Sequence, residues 1–78
     1  MNGSGEAAPV VLAIIRDVLG KPTVQPDDDL LDEGFDSLAI VRTAARVRER
    51  LDAEVPLSVY FDVRTAAELT TAIAAATA

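Results

Sequence analysis

The chain has 78 residues, half of them hydrophobic, a net charge of −6, and neither cysteine nor histidine. That is one small domain, burying about 60% of the surface its unfolded chain exposes, with no disulfide or zinc–thiolate site to reinforce it. Without His or Cys no Ser–His or Cys–His nucleophile can be built, so an enzyme is not expected, and the acidic balance argues against a nucleic-acid partner.

The charge is unevenly placed. Residues 1–36 carry eight acids against Arg16 and Lys21, whereas residues 37–78 carry five acids and five arginines. An acidic pole of this kind favours basic protein surfaces as partners. No signal peptide is expected, and no apolar run approaches membrane-spanning length. Residues 1–8 are expected to be a disordered tail. Residues 9–76 would then form a single domain of a free-standing, cytoplasmic, monomeric protein. Phe35, Tyr60 and Phe61 are the only aromatics, so the core must be aliphatic. All-α architecture is expected, as a small bundle of three main helices plus a short third one.

The first helix is predicted over residues 9–19. Pro9 suits a first helical position, and Val11, Ile14, Ile15, Val18 and Leu19 recur on one face. Gly20 is a natural stop. Residues 21–36 form a long connection, and loops of that length are usually functional or anchored. Val24, Leu30, Leu31 and Phe35 are the expected anchors, and residues 30–33 could make one helical turn. Asp27-Asp28-Asp29 invites a calcium reading, but the EF-hand pattern fails. Counting from Asp27, Leu31 stands at the fifth position, Asp32 at the glycine and Leu38 at the twelfth. No metal site is expected.

The second helix is predicted from Ser37 to about Leu51. At 100° per residue, Ile40, Ala44, Val47 and Leu51 stack in one buried stripe. Leu38, Arg42, Ala45 and Glu49 fall opposite, with Arg46 flanking. Residues 52–56 break the helix. Residues 57–62 are too apolar for a free loop and read as a short third helix. Thr65-Ala66-Ala67-Glu68 fits a capping box. A fourth helix follows to about residue 75, with Leu69, Ala72, Ile73 and Ala76 inward.

The stretch with chemistry in it is Gly34-Phe35-Asp36-Ser37-Leu38. Asp36 is a good N-cap. Ser37 then holds the first helical position, where the dipole and free N–H groups would stabilise a phosphate ester. A plain helix start is the alternative on these residues alone. No Gly-x-Ser-x-Gly elbow is present.

This motif resembles the Asp-Ser-Leu attachment motif of acyl and peptidyl carrier proteins. Downstream, Leu51, Glu54-Val55-Pro56-Leu57, Tyr60-Phe61-Asp62, Thr65 and Ala67-Glu68-Leu69 fall where peptidyl carrier domains of nonribosomal peptide synthetases have Leu, Glu-Leu-Pro-Leu, Leu-Phe-Glu and Thr-x-Ala-Glu-Leu. The likeness spans residues 9–73. Phe35-Asp36 is closer to fatty-acid and polyketide carriers, and Arg64 stands where a proline is usual. The arginines of the second helix depart from the acidic helix of fatty-acid carriers.

The resemblance implies a carrier that holds an aminoacyl, peptidyl or acyl group as a thioester on 4′-phosphopantetheine attached to Ser37. A phosphopantetheinyl transferase would install the group from coenzyme A, with Asp36 in its recognition surface. An adenylating enzyme would load the carrier. Condensation, ketosynthase or tailoring enzymes would follow, docking on Leu38, Arg42, Ala45 and Arg46 with Tyr60 at the edge. A polyketide or fatty-acid type acyl carrier is the alternative within the family. A small helical adaptor with unmodified Ser37 is the alternative from another class. On helical geometry alone Leu38 could also fold under the preceding loop.

Overall fold

In the computed structural model, which describes residues 3–77 and the side chains of residues 7–76, four helices follow in order. They are α1 (Gly3–Leu19), α2 (Ser37–Leu51), α3 (Leu57–Asp62) and α4 (Ala66–Thr77). No strand occurs among the described residues. α1 packs on α4 and α2, and the short α3 joins α2 to α4. The core is aliphatic except for Phe35 and Tyr60.

α1 begins at Gly3, six residues before the expected start, so residues 3–8 are helical rather than a loose tail. Pro9 lies inside the helix. It has no N–H to donate to the carbonyl four residues back, a cost that tertiary packing must offset. The packing is visible: Val11, Ile14 and Ile15 are fully buried, and Ala7 joins them one turn earlier. The stop is a Schellman motif. Gly20 takes φ +66, the Lys21 N–H donates to the Arg16 carbonyl (3.0 Å), and the Gly20 N–H donates to the Asp17 carbonyl (3.2 Å).

Val24, Leu30 and Phe35 anchor the long loop in the core, as expected. Leu31 does not: it is 66% exposed. Residues 30–34 close one turn, and a second Schellman pattern ends it. The Phe35 N–H donates to the Leu30 carbonyl (2.9 Å) and the Gly34 N–H to the Leu31 carbonyl (3.2 Å), with Gly34 at φ +91. That turn points Leu30 and Phe35 inward, which leaves Leu31 outside.

The loop is also tied down from the other side. The Leu30 N–H donates to the Arg64 carbonyl (2.8 Å) and the Ala67 N–H to the Pro26 carbonyl (3.0 Å). Arg16 Nε donates to the Val24 carbonyl (2.8 Å). Arg64 adds an ion pair to Asp29 (2.9 Å), which holds the Asp29 carboxyl below the usual carboxylate range. The Arg64 N–H donates to Glu68 Oε1 (2.7 Å), a bond that a proline in this place could not make.

α2 buries Ala39, Ile40, Thr43 and Val47. Ala44 and Leu51, expected in the stripe, are half-buried. The buried arc is therefore rotated toward α1 relative to the expected one. α4 buries Ala66, Leu69, Thr70 and Ile73, while Ala76, expected inward, is exposed. Its capping box is shifted by one residue. The Glu68 N–H donates to Thr65 Oγ1 (3.1 Å), but Glu68 reaches back to the N–H of Arg64 rather than Thr65.

Candidate functional site

The site is the junction of the long loop with α2. Phe35 is buried and fixes the approach of the chain. Asp36 follows in extended conformation (φ −89, ψ −176), so its backbone has not yet entered the helix. Its Oδ1 accepts from the Ala39 N–H at 2.9 Å, and its carbonyl accepts from the Ile40 N–H at 2.9 Å. This is the expected N-cap. Ser37 is the first residue of α2 and is exposed.

The exposed surface of α2 and α3 is more apolar than the helical wheel foretold. Leu38 is 61% exposed, so it does not fold under the loop. Val41 is 51%, Leu57 46% and Phe61 58% exposed. A groove of about 450 Å³ runs between α2 and α3, lined by Val41, Ala44, Ala45 and Leu57, with Arg48 and Glu54 among its polar groups. Those two pair at 3.0 Å.

Two expected surface residues are placed otherwise. Tyr60 is 1% exposed: it is the core side of α3, and burial pushes its phenol pKa up. Arg46 turns toward α1 and pairs with Asp17. Arg42 and Ala45 are placed on the open side of α2, and both are exposed. Val41, Leu57 and Phe61 were missed. Val41 could have been found, because it stands four residues after Ser37 and so shares its helical face. Leu57 and Phe61 could not be separated from Tyr60 by spacing in a helix of six residues.

Among the described residues no cluster of His, Cys, Asp and Glu could hold a metal ion, and no helix is long and apolar enough to cross a membrane. Residues 9–73 match the phosphopantetheine attachment site family. The chain belongs to that family. It is a carrier, and 4′-phosphopantetheine is the group such a domain bears.

The chain is similar to two proteins named as synthetases or synthases. The chain is 35% identical over 65 residues to the probable nonribosomal peptide synthetase CymA of Salinispora arenicola, covering 83% of this chain and 1% of that protein. It is 38% identical over 66 residues to a linear gramicidin synthase of Brevibacillus parabrevis, covering 85% of this chain and again 1% of that protein. The carrier thus spans about 1% of the length of either relative. Among solved structures it is similar to BlmI, a type-II acyl carrier protein from Streptomyces verticillus involved in bleomycin biosynthesis. The TM-score is 0.88 at 28% identity, over 96% of this chain and 90% of that one. The four-helix carrier fold expected from the sequence is thereby established.

The site's residues suit a phosphopantetheine ester. The Ser37 side chain is open to solvent, next to the first-turn N–H groups of a 15-residue helix. The neighbouring Asp36 carboxylate is engaged by the Ala39 N–H and does not compete for the serine.

Proposed function

We propose that Ser37 bears the 4′-phosphopantetheine and that the chain presents an aminoacyl, peptidyl or acyl group to the enzymes of a nonribosomal peptide or hybrid natural-product pathway. One observation carries the reading: the exposed serine heads a capped helix whose next residues include exposed Leu38 and Val41, and α3 exposes Leu57 and Phe61. When bound, the group supplies a terminal thiol for a thioester, and the chemistry is its own. The protein's residues supply address and orientation. Asp36 fixes the start of α2 and offers a carboxylate to the transferase. Leu38, Val41, Leu57 and Phe61 offer an apolar docking surface, with Ala45 between them and Arg42 at the rim. Such a patch marks an interaction site.

In this reading the carrier is non-catalytic, cytoplasmic and monomeric. Its partners are a phosphopantetheinyl transferase, an adenylating enzyme, and condensation, ketosynthase or tailoring enzymes. The relatives' membership of peptide synthetases supports the aminoacyl cargo.

The test is intact mass after incubation with coenzyme A and a broad transferase. The wild type should gain one phosphopantetheine. Ser37→Ala should gain none, because Ser4 and Ser58 lack a preceding aspartate. Label on Ser37→Ala overturns the assignment.

A further inference from the structure

The chain has seven cationic side chains, and most are already engaged. Arg16 donates to the Val24 carbonyl. Lys21 pairs with Glu33, Arg46 with Asp17, Arg48 with Glu54 and Arg64 with Asp29. Arg42 and Arg50 have no carboxylate within 4.0 Å among the described residues. Of these two, Arg42 is at the Ser37 end of α2, about 7.5 Å of helical rise from the serine.

Arg42 also points the right way. Long side chains on a helix lean toward its N-terminus. Arg42 accordingly lines the same cleft as Asp36, Leu38 and Ala39, which belong to the cap and the first turn. Val18 and Leu19 at the end of α1 give the cleft its apolar part, and the Lys21–Glu33 pair also lines it. The cleft measures about 390 Å³.

A phosphodiester on Ser37 would bring a permanent negative charge next to the Asp36 carboxylate. Its nearest uncommitted cation on α2 is Arg42. The pantoate segment that follows the phosphate carries two geminal methyl groups, which suit an apolar wall. The α2–α3 groove offers the phosphate no free cation, since Arg48 is neutralised by Glu54.

Resting on the Ser37 assignment, we infer that the prosthetic arm parks between encounters in the α1–α2 cleft, with its phosphodiester paired to Arg42 and its geminal methyls against Val18 and Leu19. The apolar α2–α3 face is thereby left clear for an incoming enzyme. A partner docking there meets an exposed surface rather than one already covered by the arm.

The experiment uses isotope-labelled full-length protein before and after conversion with coenzyme A and a transferase. Intact mass first reports the single addition and its loss in Ser37→Ala, so failure of the attachment reading is seen separately. Nuclear Overhauser contacts are then recorded in the modified protein. Contacts from the geminal methyls to Val18 and Leu19 are expected, with a shift of the Arg42 Nε–H resonance on modification. Arg42→Gln should lower those contacts several-fold, whereas Arg50→Gln should leave them unchanged. Contacts to Val41, Ala44 or Leu57 instead, no contacts at all, or contacts that persist in Arg42→Gln would each overturn the proposal.

Discussion

Asp36 and Thr43 show how single side chains on α2 and at its cap divide between function and fold. Asp36 caps the helix through the Ala39 N–H. Its replacement by alanine should cost about 0.5–2 kcal/mol, the usual range for a lost N-cap. Asparagine keeps most of the capping ability and removes the charge. Asp36→Asn should therefore melt close to wild type yet accept phosphopantetheine more slowly, as a mass-resolved time course would show. Equal rates would remove Asp36 from transferase recognition. Thr43 is a different case. Its Oγ1 is buried without a hydrogen-bond partner, while Thr70 on α4 donates back to the Ala66 carbonyl at 2.9 Å. An unsatisfied buried hydroxyl costs about 1–3 kcal/mol. Thr43→Val, of nearly equal volume, should raise stability by about 1 kcal/mol in urea titration. A loss of stability would mean that the hydroxyl has a partner in solution.

At the scale of the element, α3 is the two-sided piece. Tyr60 enters the core while Leu57 and Phe61, four residues apart, stay outside with Leu38 and Val41 of α2. Substitutions on the two sides should separate cleanly. Leu38→Ala or Phe61→Ala should weaken docking by about 1–2 kcal/mol, the scale of an ordinary interface hot spot, and leave the melting temperature unchanged. Val47→Ala empties a fully buried position. It should cost about 2 kcal/mol, from two lost buried carbon groups at ~0.8 kcal/mol each plus a cavity contribution, without touching the docking face. Loading rate by the adenylating enzyme and thermal melting, measured in parallel, check both. If Phe61→Ala melts early and loads normally while folded, α3 does not present that side chain to partners.

At the scale of the whole molecule, what positions Ser37 is the long loop lashed to the α3–α4 corner. The Asp29–Arg64 pair is its ionic tie. The hydrogen bond and charge of Arg64 hold the Asp29 pKa below its ordinary value of 3.8. A carboxyl whose folded pKa is depressed binds protons more weakly in the folded state. Its contribution is complete above the unfolded value and is lost as pH falls through the folded one. Asp29 is partly exposed to water, so the effect is small and screened by salt. Asp29→Asn retains an acceptor for the Leu31 N–H, which Asp29 Oδ1 now holds at 3.0 Å. The variant should melt below wild type at neutral pH and converge on it as pH drops below about 4. A gap that stays constant to low pH would show that the ion pair contributes nothing.

What could be read from the sequence is what near neighbours along the chain decide. Asp36 as cap, Gly20 as stop, the Thr65 cap and the facing of Val11, Ile14 and Ile15 all rest on hydrogen bonds or helical spacing within a few residues. The Asp-Ser-Leu motif likewise needs only its own turn, and it pointed to the family. What only the tertiary structure decided is how each helix is turned against the others. Spacing gives the angle between Ile40 and Leu38 but not which neighbour each meets, so the buried arc of α2 turned out rotated toward Ala39 and Thr43. α3 is too short for a periodic pattern and apolar nearly all round, and packing alone chose Tyr60 for the core. Leu31 and Ala76 lost their expected burial, and Arg46 was drawn to α1, because partners distant in sequence set the balance there. The start of α1 at Gly3 has the same origin: a helix that proline would break in isolation persists where its apolar face is packed.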